Sequence, residues 1–163
     1  NFEVGIDVGT RIGEFAFFMQ FDFDYIYCFD PNYTSRFPIN VDMRHATHYN
    51  CALGDQVTTI EMYGGMHTVR ENVAKKIKPC FPLDRFTDLG NIGFIKIDVE
   101  GFEKKVLIGA KNLIEKNNPV IVIEQNHITL DGNRFVALEY LKSIGYTSVA
   151  VCPRGWDHVL VRE

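Results

Sequence analysis

Val4-Gly5-Ile6-Asp7-Val8-Gly9-Thr10-Arg11-Ile12-Gly13 is the stretch on which the reading of this chain turns. It reads as a short apolar strand closing on an acid, Asp7, followed by a glycine turn, Gly9 to Gly13, that opens a helix. A parallel strand feeding a glycine turn and a helix N-terminus aims backbone N–H groups and the helix dipole into one crevice, which suits a nucleotide-type cofactor. The spacing narrows which one. A dinucleotide site wants G-x-G-x-x-G, so that backbone can close on a pyrophosphate. Here the pattern is Asp-x-Gly-x-x-x-Gly, with an acid where a pyrophosphate would be repelled and an ammonium group welcomed. S-adenosylmethionine carries an α-amino group and a sulfonium, both cationic.

Outward from this turn, strand and helix patterns alternate. Strands are expected at 3–8, 25–29, 49–53, 58–63, 94–98, 120–124, 148–152 and 158–162, and helices at 13–21, 102–116 and 135–144. Val106, Leu107, Ala110, Leu113 and Ile114 form an apolar stripe at helical spacing, and Asn117-Asn118-Pro119 stops that helix. Val120-Ile121-Val122-Ile123 is continuously apolar, as a parallel strand covered on both faces should be. These features predict an α/β fold, a doubly wound and mostly parallel sheet with ligands at the carboxyl ends of its strands. The stretch 64–82, opening on Gly64-Gly65 and holding Pro79 and Pro82, reads as a long surface loop or short helix.

Several of the expected strands end in polar groups that one sheet edge would gather: Asp7, Asp30, Asp98 with Glu100 after it, and Glu124-Gln125-Asn126. Each acid alone could equally cap the next helix. Together they point to a polar crevice. Asp30, ending the second strand, is placed to accept hydrogen bonds from ribose hydroxyls. Lys96 lies inside an otherwise apolar strand, where its ammonium needs a carboxylate or a polar crevice. Glu124 on the neighbouring strand is the candidate partner, and the alternative is a side chain that snorkels to water. Asp98, Glu124 and Asn126 could present oxygens to Mg²⁺, but the pattern is loose and no metal is expected. His67 stands in the irregular stretch and reads as a solvated loop residue.

Composition sets the bounds. The chain has 163 residues, enough for one domain with one core, with 46% hydrophobic and 23% charged residues. Net charge is −4 without a long basic run, which argues against a nucleic-acid partner. No apolar run reaches the roughly 20 residues that span a bilayer, so no membrane partner is expected. The chain opens directly on a strand and lacks an initiator Met, so no leader is expected and an upstream segment is expected to be missing. Cys28, Cys51, Cys80 and Cys152 are widely spaced without a C-x-x-C pair, which disfavours structural zinc. They read as free thiols of a cytoplasmic protein.

Several segments resemble the FkbM-type S-adenosylmethionine-dependent methyltransferases. They are Asp-Val-Gly-Thr-Arg-Ile-Gly-Glu (7–14), Phe-Asp-Pro-Asn (29–32), Ala-Leu-Gly-Asp (52–55), Leu83-Asp84 and Phe-Ile-Lys-Ile-Asp-Val-Glu-Gly-Phe-Glu (94–103). The last, followed by Val106-Leu107-x-Gly109-Ala110, is the most specific. The strand ending in Glu124 and Leu141…Gly145-Tyr146 also fit, so the resemblance covers nearly the whole chain. Two positions depart from the family pattern. Thr10-Arg11 fills a turn that usually reads Gly-Ala-Asn-x-Gly, and Asp30 replaces a longer Glu before Pro31.

The resemblance implies a Rossmann-like, class I methyltransferase sheet of seven strands in the order 3-2-1-4-5-7-6, the last antiparallel, with the strand at 58–63 extending the third-strand edge. It implies O-methylation of a hydroxyl on a sugar or secondary metabolite, the partner being a small-molecule or glycan acceptor. The expected cofactor set is Asp7, Gly9, Thr10, Arg11, Gly13, Asp30, Asn32, Asp55 (near the adenine) and Asp98. The expected catalytic set is Asp98 as base, with Lys96, Glu100, Glu124 and His127. Two rival readings stand beside this one: a non-catalytic S-adenosylmethionine-binding module and a nicotinamide-dependent oxidoreductase.

Overall fold

The computed structural model describes residues 3–63, 75–125 and 135–162. Its main sheet is built from β1 (Val4–Val8), β2 (Tyr25–Phe29), β3 (Ala46–Tyr49), β7 (Ile92–Ile97), β8 (Val120–Glu124), β9 (Tyr146–Val151) and β10 (Asp157–Arg162). The strand order is β3-β2-β1-β7-β8-β10-β9. Counted within this sheet, that is 3-2-1-4-5-7-6, as expected. β10 runs antiparallel to both β8 and β9, and the pairs among β3, β2, β1, β7 and β8 are parallel.

Alternation along each central strand decides what the sheet buries. Val4, Ile6 and Val8 join Ile95, Ile97, Ile121 and Ile123 in the larger core, with Val106, Leu107 and Ile114 from the helical segments. The other face packs α1 (Glu14–Met19) through Ala16 and Met19 against Ile26 and Cys28. Asp7, Cys28 and Lys96 share one cross-strand row, because Asp7 is in register with both of the others. Among the described residues no helix is long and apolar enough to cross a membrane.

The expected third strand breaks in two. β3 ends at Tyr49, and Cys51 N–H donates back to the Tyr49 carbonyl at 2.9 Å, turning the chain out of the main sheet. Ala52–Leu53 then forms β4 in a second sheet of order β4-β6-β5. The strand at Thr58–Tyr63 (β5) exists, but it does not extend the third-strand edge. It pairs antiparallel with β6 (Lys75–Phe81), which occupies part of the stretch read as loop. Pro79 is in register with Thr59 of β5, while β4 pairs with β6 only at Cys80 and Phe81, so the β4 side of Pro79 has no ladder partner to miss its N–H.

The expected single helix at 102–116 is also two, α3 (Glu103–Gly109) and α4 (Lys111–Asn117), broken at Ala110. Asp84, in the 3₁₀ turn Leu83–Arg85, caps the second N-terminus: its carboxylate accepts the N–H of Asn112 at 3.0 Å and of Leu113 at 2.8 Å. The third expected helix is α5 (Val136–Ser143). All four cysteines are free thiols, three of them buried.

Candidate active site

The carboxyl edge of the main sheet opens into two adjoining crevices. The first, about 440 Å³, lies between the glycine turn and the small sheet. Gly9, Asp30, Asn32, Leu53, Met62 and Phe102 are among the residues that line it. The second, about 420 Å³, lies over the ends of β7 and β8 and is walled by α1 and the start of β10. Gly9, Arg11 and Asp98 line both.

At Gly9 the ends of β1 and β7 come close together. The Gly9 φ is +82°, and a Cβ there would sit 1.8 Å from the carbonyl oxygen of Asp98. Glycine is required on both counts. Gly9 N–H donates to the Phe29 carbonyl at 2.8 Å, tying the turn to β2. Asp30 completes that tie. Its Oδ2 accepts Arg11 N–H at 2.9 Å and its Oδ1 accepts Asn32 N–H at 2.7 Å. Arg11 itself sits at φ +49°, a conformation the Asp30 bond helps to hold. Each carboxylate oxygen of Asp30 keeps a second lone pair for a ligand hydroxyl.

Lys96 reaches toward β1, opposite to expectation. Its Nζ lies 3.2 Å from the Asp7 carboxylate and 3.6 Å from that of Asp98, and it donates to the Gly9 carbonyl at 3.2 Å. Among the described residues those are its carboxylate partners. The register explains this: Lys96 is level with Asp7 on one side and with Val122 on the other, so Glu124 stands two residues further along. Burial pulls the Lys96 ammonium down, but the Asp7 and Asp98 carboxylates more than offset it, and its pKa stands above the usual value. The snorkelling alternative fails, since the side chain is only 11% exposed.

Asp7 is wholly buried and lines neither crevice, so its carboxylate faces Lys96 and not a ligand ammonium. Thr10 lines the second crevice, not the first. Gly13 caps α1 and packs on Val41 and Phe37. Asp55 is exposed and outside both linings. Glu100 lines the first crevice at φ +60°. Glu103, the last acid of the 94–103 motif, holds that bend: its carboxylate accepts Val99 N–H at 3.2 Å and Gly101 N–H at 3.0 Å. His127, with Asn126 and His67, lies outside the described residues.

Asp98 and Glu124 meet in the second crevice. Each follows a residue of the paired couple Ile97–Ile123. Burial, a side-chain hydrogen bond with Asp98 and the charges of Asp98, Asp157 and Glu100 push the Glu124 carboxyl up to about 8. Asp157 was not picked out by the sequence reading. It is in register with Glu124 across the antiparallel β8–β10 pair. The signal was present: the first residue of an antiparallel strand lies at the same edge as the last residues of the parallel ones. Phe15 and Phe18 of α1 and Glu14 beside them were also missed, as were Ile60 and Met62 of β5, which line the first crevice.

Residues 7–148 match the family model described as the methyltransferase FkbM domain. The chain belongs to this family. The FkbM chain also resembles solved structures. A methyltransferase FkbM from Methylobacillus flagellatus KT superposes with a TM-score of 0.64 at 22% identity, over 97% of this chain and 42% of that one. This chain therefore spans well under half of that relative. Precorrin 8w decarboxylase from Methanobacterium thermoautotrophicum matches with a TM-score of 0.60 at 14% identity, covering 100% of this chain and 83% of that one. Precorrin-6y C5,15-methyltransferase from Geobacter metallireducens GS-15 gives 0.52 at 12%, covering 98% and 79%. At these identities the likeness is one of fold. No curated protein matches the FkbM chain significantly by sequence.

Proposed function

We propose that this FkbM domain is an S-adenosylmethionine-dependent methyltransferase that methylates a hydroxyl group of a sugar or secondary metabolite. The observation that carries the reading is the pair of crevices that share Gly9, Arg11 and Asp98 as their partition. One side suits a nucleoside-bearing cofactor and the other an acceptor, with an acid at the boundary.

The first crevice fits the cofactor in size and chemistry. Its volume, about 440 Å³, falls in the range of small-molecule sites. Leu53, Ile60, Met62 and Phe102 supply apolar surface for a flat base, and Asp30 offers lone pairs for a ribose. When bound, S-adenosylmethionine supplies a methyl group activated by its sulfonium. The residues of this chain contribute orientation and proton removal. Holding two reactants in line accounts for much of the rate in such a displacement. The Asp98–Glu124 pair faces the acceptor side. Glu124 holds its proton up to about 8, and Asp98, beside the Lys96 ammonium, is the group placed to accept the hydroxyl proton.

Mass spectrometry of the purified protein for co-purified S-adenosylmethionine or S-adenosylhomocysteine, followed by calorimetric titration of both, tests the reading. Binding is expected. Absence of any binding, with the protein folded, overturns it.

A further inference from the structure

The second crevice has a lining of unequal character. Among the described residues it presents four carboxyl groups, from Glu14, Asp98, Glu124 and Asp157, against two cations, Arg11 and Lys96. Lys96 is already answered from beneath by Asp7, which lies outside the lining. The crevice therefore offers little attraction to an anion and several acceptors for hydroxyl hydrogens. Its α1 wall is aromatic. Phe18 is 68% exposed, so its ring face is open to the crevice. Phe17 braces it edge to face at 5.3 Å, and Phe21 braces Phe17 in turn at 5.4 Å. Phe15 stacks on Phe94, nearly parallel at 8°, which ties this part of the wall to the sheet.

From this wall and this charge balance, we propose that the acceptor is an uncharged, hydroxylated molecule with a flat apolar face that stacks on Phe18, and that phosphorylated or nucleotide-linked acceptors are excluded. The inference rests on the methyltransferase reading and gives its acceptor a class. An incoming phosphate would meet Asp98, Asp157 and Glu14, and this concentration of like charge repels it. An aromatic or deoxygenated ring face would cover Phe18 and leave its hydroxyls toward Asp98. The order of reactions follows: a sugar destined for this crevice has already left its nucleotide carrier, so a glycosyl transfer or a phosphate removal comes first.

The test uses the protein saturated with S-adenosylhomocysteine, whose own binding is measured separately by calorimetry. Two probes are compared by saturation-transfer NMR: 4-nitrophenyl β-glucoside and the same compound phosphorylated at its 6-hydroxyl. The neutral probe is expected to show transfer, strongest at the aryl protons, and the phosphorylated probe none. Phe18→Ala, at an exposed position, is expected to weaken the neutral probe by about fivefold, the size of one aromatic contact. It should leave S-adenosylhomocysteine affinity unchanged. Asp157→Asn is expected to admit the phosphorylated probe. Transfer to the phosphorylated probe in the unmodified protein, no transfer to the neutral one, or indifference to Phe18→Ala each overturns the proposal. If S-adenosylhomocysteine itself does not bind, it is the methyltransferase reading that falls.

Discussion

Asp7 and Lys96 face each other from adjacent parallel strands, 3.2 Å apart, with the Asp7 side chain fully out of contact with solvent. The pair fixes the floor of the site, because the same ammonium also holds the Gly9 carbonyl and the Asp98 carboxylate. Removing one member leaves a buried charge alone. Lys96→Met is expected to cost about 3–5 kcal/mol, and Asp7→Leu with Lys96→Met to recover most of it. Urea unfolding of the two variants decides. A single variant as stable as the parent would show that the pair is dispensable.

Gly9→Ala is expected to lose more than about 2 kcal/mol of stability, because the positive φ and the Asp98 carbonyl both oppose a Cβ. The same variant should no longer bind S-adenosylhomocysteine. A stability unchanged in denaturant titration would contradict the close approach of β1 and β7.

Asp30→Ala releases the backbone N–H groups of Arg11 and Asn32 and, in the proposed complex, removes the acceptor for the ribose hydroxyls, a loss of about 1–3 kcal/mol. S-adenosylhomocysteine affinity should fall by about 10–100-fold for a loss of that order. Asp30→Asn, which keeps one acceptor oxygen, should fall less. Equal affinity in calorimetry for all three proteins would remove Asp30 from the cofactor side.

Glu124 gives a pH signature. Its carboxyl holds a proton up to about 8 in the folded protein, above the usual value for Glu, so the folded state binds that proton more tightly than the unfolded one. Its contribution to stability is therefore full below the ordinary Glu range and is lost as pH rises toward 8. Partial exposure of the group makes the loss smaller than the shift alone would give. Urea midpoints measured from pH 5 to 9 should decline more in the parent than in Glu124→Gln. In Asp98→Asn, methyl transfer should fall by roughly 100-fold while cofactor binding persists. Parallel pH profiles for parent and Glu124→Gln would argue against the raised proton affinity.

The central sheet was legible because its signals are local: continuous apolar runs, glycine turns and an acid at four of the strand ends. Asp30, Asp98 and Glu124, which line the two crevices, stand at such ends. What escaped was set by pairing at a distance. Nothing within Lys75–Phe81 marks it as a strand, since three lysines and Pro79 suit an exposed loop, and only pairing with β5 and β4 orders it. The split of the long helix at Ala110 is likewise made from outside, by Asp84 capping the second half. Asp7 looked like a ligand for a cofactor ammonium. The sheet register turned it toward an internal ammonium instead, that of Lys96. Phe18 carried no sequence signal of its own, because an aromatic on an amphipathic helix reads as core until its neighbours are known.

The partition formed by Gly9, Arg11 and Asp98 separates walls with different origins along the chain. The end of β2, β4 and β5 shape one side, while α1, β8 and β10 shape the other. Substitutions at Glu14, Phe18 or Asp157 therefore act on one compartment without crossing into its neighbour. Under the proposed function, such a layout lets acceptor preference be altered without touching the cofactor side. It also marks those three positions as the starting set for a library that varies the second crevice alone.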